Sequence, residues 1–423
     1  MRLFTYPCAN FRFSDHIFIT MNSFTQHKVS RFLLAAVVTL FTTLTFAQPT
    51  VQWRFKIKQP IFSSPIASEG VAFFGGLDST IYALDIQTGA QKWKLRTNCE
   101  IRSNLVLHNN QLYLAGGNGV LSCIDKNSGK RLWSAVFDSN AIYLSERRYD
   151  FADYYYSTPL IHNNVIYIGN GSGLMQAMKA DNGEPIWSFK AGDIIHSTAV
   201  VLRDKLCFGS YDGNVYALNI NDGSLAWKFK SVGQQYFPKG EFNSSPAASQ
   251  NTIFIGSRDF NTYALNINGG FTNWNKVFNA WAPSYTVRDT VVYVGTSDDH
   301  LLLALDARNG REIWKTNVKF NIFGNCTLTP TLVYVGTIWG RLLALDTRTG
   351  VVKWTFSTDG FTANHEKYFK SDDTYRDDIG SILRSPIEWI AAEYKMGGIW
   401  STPLVVGERI IVTTAEGTVY CLR

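Results

Sequence analysis

The 423-residue chain carries 40 Lys and Arg against 34 Asp and Glu, a formal net charge of +6, with 17% charged, 14% aromatic and 45% hydrophobic residues. That balance is too mild for an electrostatic nucleic-acid binder and too apolar for a disordered chain. Abundant aromatics and 33 glycines with few charges describe short strands joined by tight turns rather than long solvated helices.

At the N-terminus His27, Lys28 and Arg31 precede an apolar run from Phe32 to Phe46, and the small residues Thr45 and Ala47 are spaced for cleavage before Gln48. Residues 1–47 are read as an upstream segment and export signal, with 21–47 as the functional signal because Met21 is a second start, and 48–423 as one mature domain. The run is short of the roughly 20 residues a spanning helix needs, so no transmembrane segment is expected in the mature chain. An exported, periplasmic or extracellular protein is expected, acting as a monomer. Cleavage removes Arg2, Arg12, Lys28, Arg31 and Asp15 and lowers the net charge to +3. Of the cysteines left, Cys123 and Cys421 replace an alanine of the repeat and Cys207 lies in an apolar strand; these read as small buried side chains.

From residue 51 onward the chain repeats. Tyr82-Ala-Leu-Asp-Ile-Gln-Thr-Gly-Ala-Gln-Lys-Trp93 recurs as Leu303-Ala-Leu-Asp-Ala-Arg-Asn-Gly-Arg-Glu-Ile-Trp314 and Leu343-Ala-Leu-Asp-Thr-Arg-Thr-Gly-Val-Val-Lys-Trp354, with looser copies ending at Trp133, Trp187, Trp227 and Trp274. Each copy is a strand, a tight turn built by Asp or Asn and a glycine, and a second strand bearing the tryptophan. Two further strands precede each hairpin, such as Val165–Gly169, led by a short cluster such as Ser157-Thr-Pro or Ser401-Thr-Pro. A four-stranded unit buries little alone, but radial packing buries its faces. Thr418–Arg423 is a third strand lacking a fourth, and Val51–Phe55 a fourth lacking the first three. Joined, they complete an all-β, eight-bladed β-propeller of four-stranded antiparallel blades, docked through Trp53, Trp93, Trp133, Trp187, Trp227, Trp274, Trp314 and Trp354.

The tryptophans also measure the connections. The plain spacing from tryptophan to the next inner cluster is ten residues, as from Trp53 to Ser63, but Trp133 to Ser157, Trp227 to Ser244 and Trp354 to Ser401 are longer by 14, 7 and 37. These insertions, 137–156, 231–243 and 358–399, emerge on one face, here called the top, where binding is expected. In the longest, Ser385, Pro386 and Glu388 start a helix that Gly397 ends, with Ile387, Ile390, Ala391 and Tyr394 on one side as the stripe to bury. Asp372, Asp373, Asp377 and Asp378 lack the glycine and closing glutamate of an EF-hand loop and read as solvated surface. The first insertion concentrates Arg147, Arg148, Tyr149, Tyr154 and Tyr155, side chains suited to a partner contact.

The residues just before each inner cluster ring the channel mouth: Phe62, Arg102, Tyr156, His196, Asn243, Ala282, Phe323 and Trp400. Of these Arg102, Tyr156, His196, Asn243 and Trp400, with the neighbouring Trp281, are candidates for a planar or sugar-like ligand. The same side chains equally serve to plug a channel. No catalytic residue and no metal ligand set stands out, since the histidines are scattered and form no His-Glu-x-x-His pattern.

The Ala-Leu-Asp-x-x-x-Gly-x-x-x-Trp copies resemble the PQQ-binding-like propeller family over essentially all of residues 51–423. In quinoprotein dehydrogenases of that family, pyrroloquinoline quinone (PQQ) and Ca²⁺ sit at the mouth beneath a vicinal disulfide, with a stacking tryptophan, a carboxylate base and Glu and Asn ligands. This sequence has no Cys-Cys pair and no carboxylate in the mouth register; Glu241 and Asn243 come nearest to a cation site. Blade count and length are also similar to BamB-type propellers, the noncatalytic scaffolds of outer-membrane protein assembly. Those are typically anchored through a lipidated cysteine at the cleavage site, where this chain has Ala47-Gln48. The resemblance implies a scaffold binding a protein partner or small ligand on the top face, without a cofactor and outer-membrane associated, or alternatively a PQQ- and calcium-dependent oxidoreductase.

Overall fold

The computed structural model describes residues 48–139 and 157–423. These form eight four-stranded antiparallel sheets, seven of them in simple sequence order. Blade 1 is typical, with strands Ile66–Ser68, Val71–Gly76, Thr80–Asp85 and Gln91–Arg96 running from the axis outward. Its two middle strands are almost wholly buried, whereas the outermost strand alternates between exposed and part-buried positions. That gradient follows from radial packing, which covers both faces of the middle strands and leaves the rim wet. Blade 8 combines Leu404–Val406, Arg409–Thr413 and Thr418–Leu422 with Val51–Lys56 from the other end of the chain, closing the ring.

The hairpin chemistry read from the repeat is visible atom by atom. Asp85 Oδ1 accepts from the backbone N–H groups of Gln87 and Thr88, both at 3.0 Å, and Gly89 takes φ +74°. Beyond the turn a one-residue register shift sets each docking tryptophan opposite the small residue of the third strand: Trp93 faces Ala83, Trp133 faces Cys123 and Trp53 faces Cys421. The cysteines occur there because a bulky side chain opposite the indole would collide with it. Cys123, Cys207, Cys326 and Cys421 are buried, Cys99 is part-buried, and all five are unpaired thiols.

Each indole reaches into the following blade. The N–H groups of Trp53, Trp93, Trp187, Trp227, Trp274 and Trp314 donate to the carbonyls of Ile86, Lys126, Ile220, Ile267, Ala307 and Thr347 at 2.6–3.2 Å. Trp133 packs on Gly183 in the same way, but its Nε1 is buried without a partner, and the Ala180 carbonyl accepts from Tyr113 Oη instead. Trp354 is buried against blade 8, beside Leu422 and Tyr420.

The connections between blades share a face with the turns between second and third strands, because backbone N–H groups at the start of every connection bond to those turns. Ile57, Thr97, Phe137, Ala191, Ser231, Phe278, Val318 and Thr358 donate to Gly417, Ser79, Gly119, Gly173, Gly213, Phe260, His300 and Gly340. The residues between 140 and 156, including Arg147, Arg148, Tyr149, Tyr154, Tyr155 and Tyr156, lie outside the described residues, as does the 1–47 segment. Among the described residues no helix is long and apolar enough to cross a membrane.

The longest insertion holds more helix than its sequence declared: α1 (Asp359–Tyr368), a short α2 (Ile379–Ile382) and α3 (Pro386–Lys395). α3 starts on Ser385 with Pro386 at its first position and a complete capping box to Glu388. Its buried side holds only part of the expected stripe: Ile390 and Tyr394 are part-buried, Tyr394 against Phe62. Ile387 is 71% exposed and Ala391 is exposed, while Ala392 and Met396 are buried and Trp389 is part-buried. The helix is rotated so that Trp389 meets Trp339 and Tyr375 edge-on, an aromatic contact that outweighs burial of Ile387. The acidic stretch is solvated surface at Asp372, Asp377 and Asp378 but not at Asp373. Asp373 is only 14% exposed at its side chain and bonds both Arg341 and His365, Asp377 pairs with Lys370, and Asp378 pairs with Arg376.

Candidate functional site at the channel mouth

Six of the eight inner strands enter the ring through a serine that ties the strand to its own blade. Ser63 Oγ donates to Gly75 O at 2.9 Å and accepts from Gly75 N at 2.7 Å, and Ser197 with Gly209 and Ser244 with Gly256 repeat the exchange. The following residue ties blade to blade. Backbone N–H groups of Ser64, Asn104, Thr158, Thr198 and Thr402 donate to side-chain oxygens of Asn104, Thr158, Thr198, Ser245 and Ser64 at 2.7–3.2 Å. Tyr285 N donates likewise to Asn325 Oδ1. The short Ser/Thr clusters of the sequence are thus a hydrogen-bonded belt around the axis, satisfying backbone donors that face the channel.

Inside this belt lies a cavity of about 100 Å³, with His196, Asn243, Trp281, Phe323 and Trp400 in its lining beside the belt residues. Four of the six expected mouth residues are therefore together. Arg102 is not among them: it bonds Glu100, stacks over Phe62 and is covered from the top, with Tyr394 of α3 against Phe62. Tyr156 lies outside the described residues. Ala282 is buried and outside the lining, because it stands in the register of Ile195 and Phe242, one residue before the mouth position, and Pro283 and Trp281 line the cavity in this blade. The belt itself escaped sequence reasoning, although its recurrent Ser, Thr and Asn were present to be counted.

An aromatic arc borders the cavity. Phe62 meets Trp400 at 5.8 Å, Trp400 meets Phe323 at 5.1 Å, and Phe323 meets Trp281 at 5.5 Å, while Arg258 lies over Trp281 and over Phe237 of the second insertion. Most of this arc is packing: Phe62 is 0% and Trp400 1% exposed, and both belong to the cluster that α1 and α3 build over the mouth with Phe361, Tyr368, Phe369 and Met396. Two polar groups face the other way. Both amide atoms of Asn243 and the indole N–H of Trp281 are buried without hydrogen-bond partners. Above the arc, Glu393 of α3 keeps Oε2 buried and unbonded; burial, reinforced by the charge of Asp298, pushes its carboxyl up to about 8.

A quinone with Ca²⁺ does not fit these residues. The described lining supplies hydroxyls, amides, an imidazole and indoles, and it contains no carboxylate. Glu241 Oε2 and Asn243 Oδ1 lack partners, but Glu241 does not line the cavity, and Ca²⁺ wants six to eight oxygens. A tricyclic cofactor is also larger than the volume of about 100 Å³.

Belt, docking tryptophans and closing strand define the class: an eight-bladed propeller of the PQQ-repeat type with its long connections on one face. The chain belongs to the family described as outer membrane protein assembly factor BamB, whose model matches residues 30–188, 117–284 and 278–375. It is 23% identical over 159 residues to the outer membrane protein assembly factor BamB of Shewanella oneidensis, spanning 33% of this chain and 37% of that protein. It is 25% identical over 156 residues to the quinohemoprotein alcohol dehydrogenase ADH-IIG of Pseudomonas putida, spanning 32% of this chain and 21% of that one. The matched stretches thus cover well under two thirds of these relatives. The BamB structure from Moraxella catarrhalis superposes with a TM-score of 0.64 at 14% identity, covering 89% of this chain and 99% of that one, a likeness of fold alone.

Proposed function

We propose that the protein is an exported, noncatalytic propeller that binds a protein partner through its top face, as a scaffold in envelope or outer-membrane assembly. The observation that carries this reading is the helical roof. α1 and α3 pack onto Phe62, Trp400 and Trp339, so the aromatic surfaces on which a planar cofactor would stack are spent on folding. The insertion at 231–243 leaves Val232 and Tyr236 more than three quarters exposed on the same face, apolar area available to a partner. The family description names outer-membrane assembly, which agrees with a scaffold.

The cavity around His196, Asn243, Trp281 and Trp400 is proposed as a secondary pocket for a small polar ligand, and Arg147, Arg148, Tyr149, Tyr154 and Tyr155 as contact residues of the first insertion. Purified protein incubated with PQQ and Ca²⁺ should show neither quinone absorbance nor dye-linked alcohol oxidation. Exported, tagged protein should retain an envelope partner that is lost on deleting 137–155. Quinone absorbance with dye reduction would overturn the scaffold reading in favour of an oxidoreductase.

A further inference from the structure

Four blades share a tyrosine that fills the space towards the preceding blade. Tyr82, Tyr216, Tyr263 and Tyr420 occupy one register position on the third strand, opposite Phe74, Phe208, Ile255 and Val412 of the second. Each phenol donates to a carboxylate four residues earlier, on Asp78, Asp212, Asp259 or Glu416. In blades 1 and 4 the ring stacks on its neighbour, Tyr82 on Phe74 at 5.3 Å and Tyr216 on Phe208 at 5.5 Å. Blades 6 and 7 fill the position with Leu303 and Leu343.

Blade 2 leaves it open. Ser122 stands where the tyrosines do, opposite Leu114, and Asn118 stands where the carboxylate does. The consequence is a cleft of about 120 Å³ between blades 1 and 2, lined by Thr97, Cys99, Leu114, Asn118, Ser122 and Arg131 among others. Its floor, Thr97, Leu114 and Ser122, is buried and its rim, Asn98, Arg131 and Ser134, is exposed. The volume approaches that of a cavity known to take benzene, roughly 150 Å³, and the open rim lets a ring project outward. Asn118 Oδ1 accepts from Val120 N, as Asp78 Oδ1 does from Thr80 N. Its Nδ2 therefore falls where the second carboxylate oxygen receives the phenol in blade 1, and it presents a donor to an incoming oxygen.

We propose that the cleft between blades 1 and 2 is a binding site for a hydroxyphenyl group from outside the chain, seated on Leu114 and accepting a hydrogen bond from Asn118. The repeat supplies the shape: this fold already holds the same group in four equivalent places, with a ring of its own. The source is either a free phenol or a tyrosine side chain of a polypeptide. The inference does not rest on the scaffold reading.

Ligand-observed NMR with the full mature chain tests it, using p-cresol, N-acetyltyrosinamide and toluene as probes against wild type, Ser122→Tyr and Ser122→Leu. p-Cresol should bind wild type more tightly than toluene, and both variants should weaken it by at least about tenfold with no fall in Tm, because each residue is native at this position in other blades. Tyrosinamide binding at least as tight as p-cresol assigns the site to a polypeptide tyrosine; binding of p-cresol alone assigns it to a free phenol. Absence of p-cresol binding, or equal binding by the variants, overturns the proposal.

Discussion

The indole of Trp93 lies on Gly129 of the next blade, where a Cβ would come within 2.7 Å of the ring, and its N–H donates to Lys126 O at 3.0 Å. Gly129 holds φ +70°, so the turn and the docking contact both demand a residue without a side chain. Gly129→Ala should destabilise by more than about 1 kcal/mol, and Trp93→Ala by on the order of 3 kcal/mol. Urea unfolding of the double variant should give less than the sum, since removing the indole relieves the collision but not the strained φ. Strict additivity would mean that ring and glycine are not coupled.

The closing strand joins the ring to the insertion as well as to blade 8. Thr50 exchanges two backbone hydrogen bonds with Arg423, and Arg54 pairs through two nitrogens with Asp359 at the start of α1. Deleting residues 51–56 should expose both the third strand of blade 8 and the face that Trp53 covers on blade 1. Calorimetry is expected to show loss of cooperative unfolding for the whole ring rather than a shoulder from one end.

Burial raises the Glu393 carboxyl from 4.5 to about 8, with Asp298 adding repulsion. The native state then holds this proton more tightly than the unfolded chain, so the contribution of Glu393 to stability is greatest below about 4.5 and falls as pH rises towards 8. Denaturant midpoints, followed by fluorescence of the nearby Trp339 and Trp389, should decline across that window in wild type. Glu393→Gln should flatten the decline, and an unchanged slope would place the proton elsewhere.

Asp373 holds α1 to blade 7 through Arg341 at 2.9 Å and His365 at 2.8 Å, while the Arg341 guanidinium lies 4.4 Å from the Phe361 ring. Asp373→Ala leaves the Arg341 guanidinium and the His365 imidazole without their shared carboxylate and should cost about 1.5–3 kcal/mol locally. Limited proteolysis should cut first between residues 369 and 385, with the blades intact.

Much of the toroid was legible because its signals are local. Asp85, Gly89 and Trp93 make one turn and its docking side chain within nine residues, and the copies recur at nearly constant spacing. The capping box of α3 was legible for the same reason. Its buried face was legible only in part: Tyr394 packs inward as expected, but Ile387 looked like core, and only the position of Trp339 and Tyr375, distant in sequence, turned Trp389 inward. α1 was missed because its residues are mostly polar, with Phe361 and Tyr368 as its buried anchors.

The sequence by itself determined the blade count, the closing strand and the face bearing the insertions, because hairpin turns and hydrophobic alternation act between residues close along the chain. Tertiary structure decided what stands at the mouth. Arg102 was drawn under α3 while Trp281 took a place in the lining, and an aromatic ring became packing rather than a free stacking surface. Which side chain is spent on the core and which is left to face a ligand depends on contacts across 37 added residues and eight blades, and no local pattern records them.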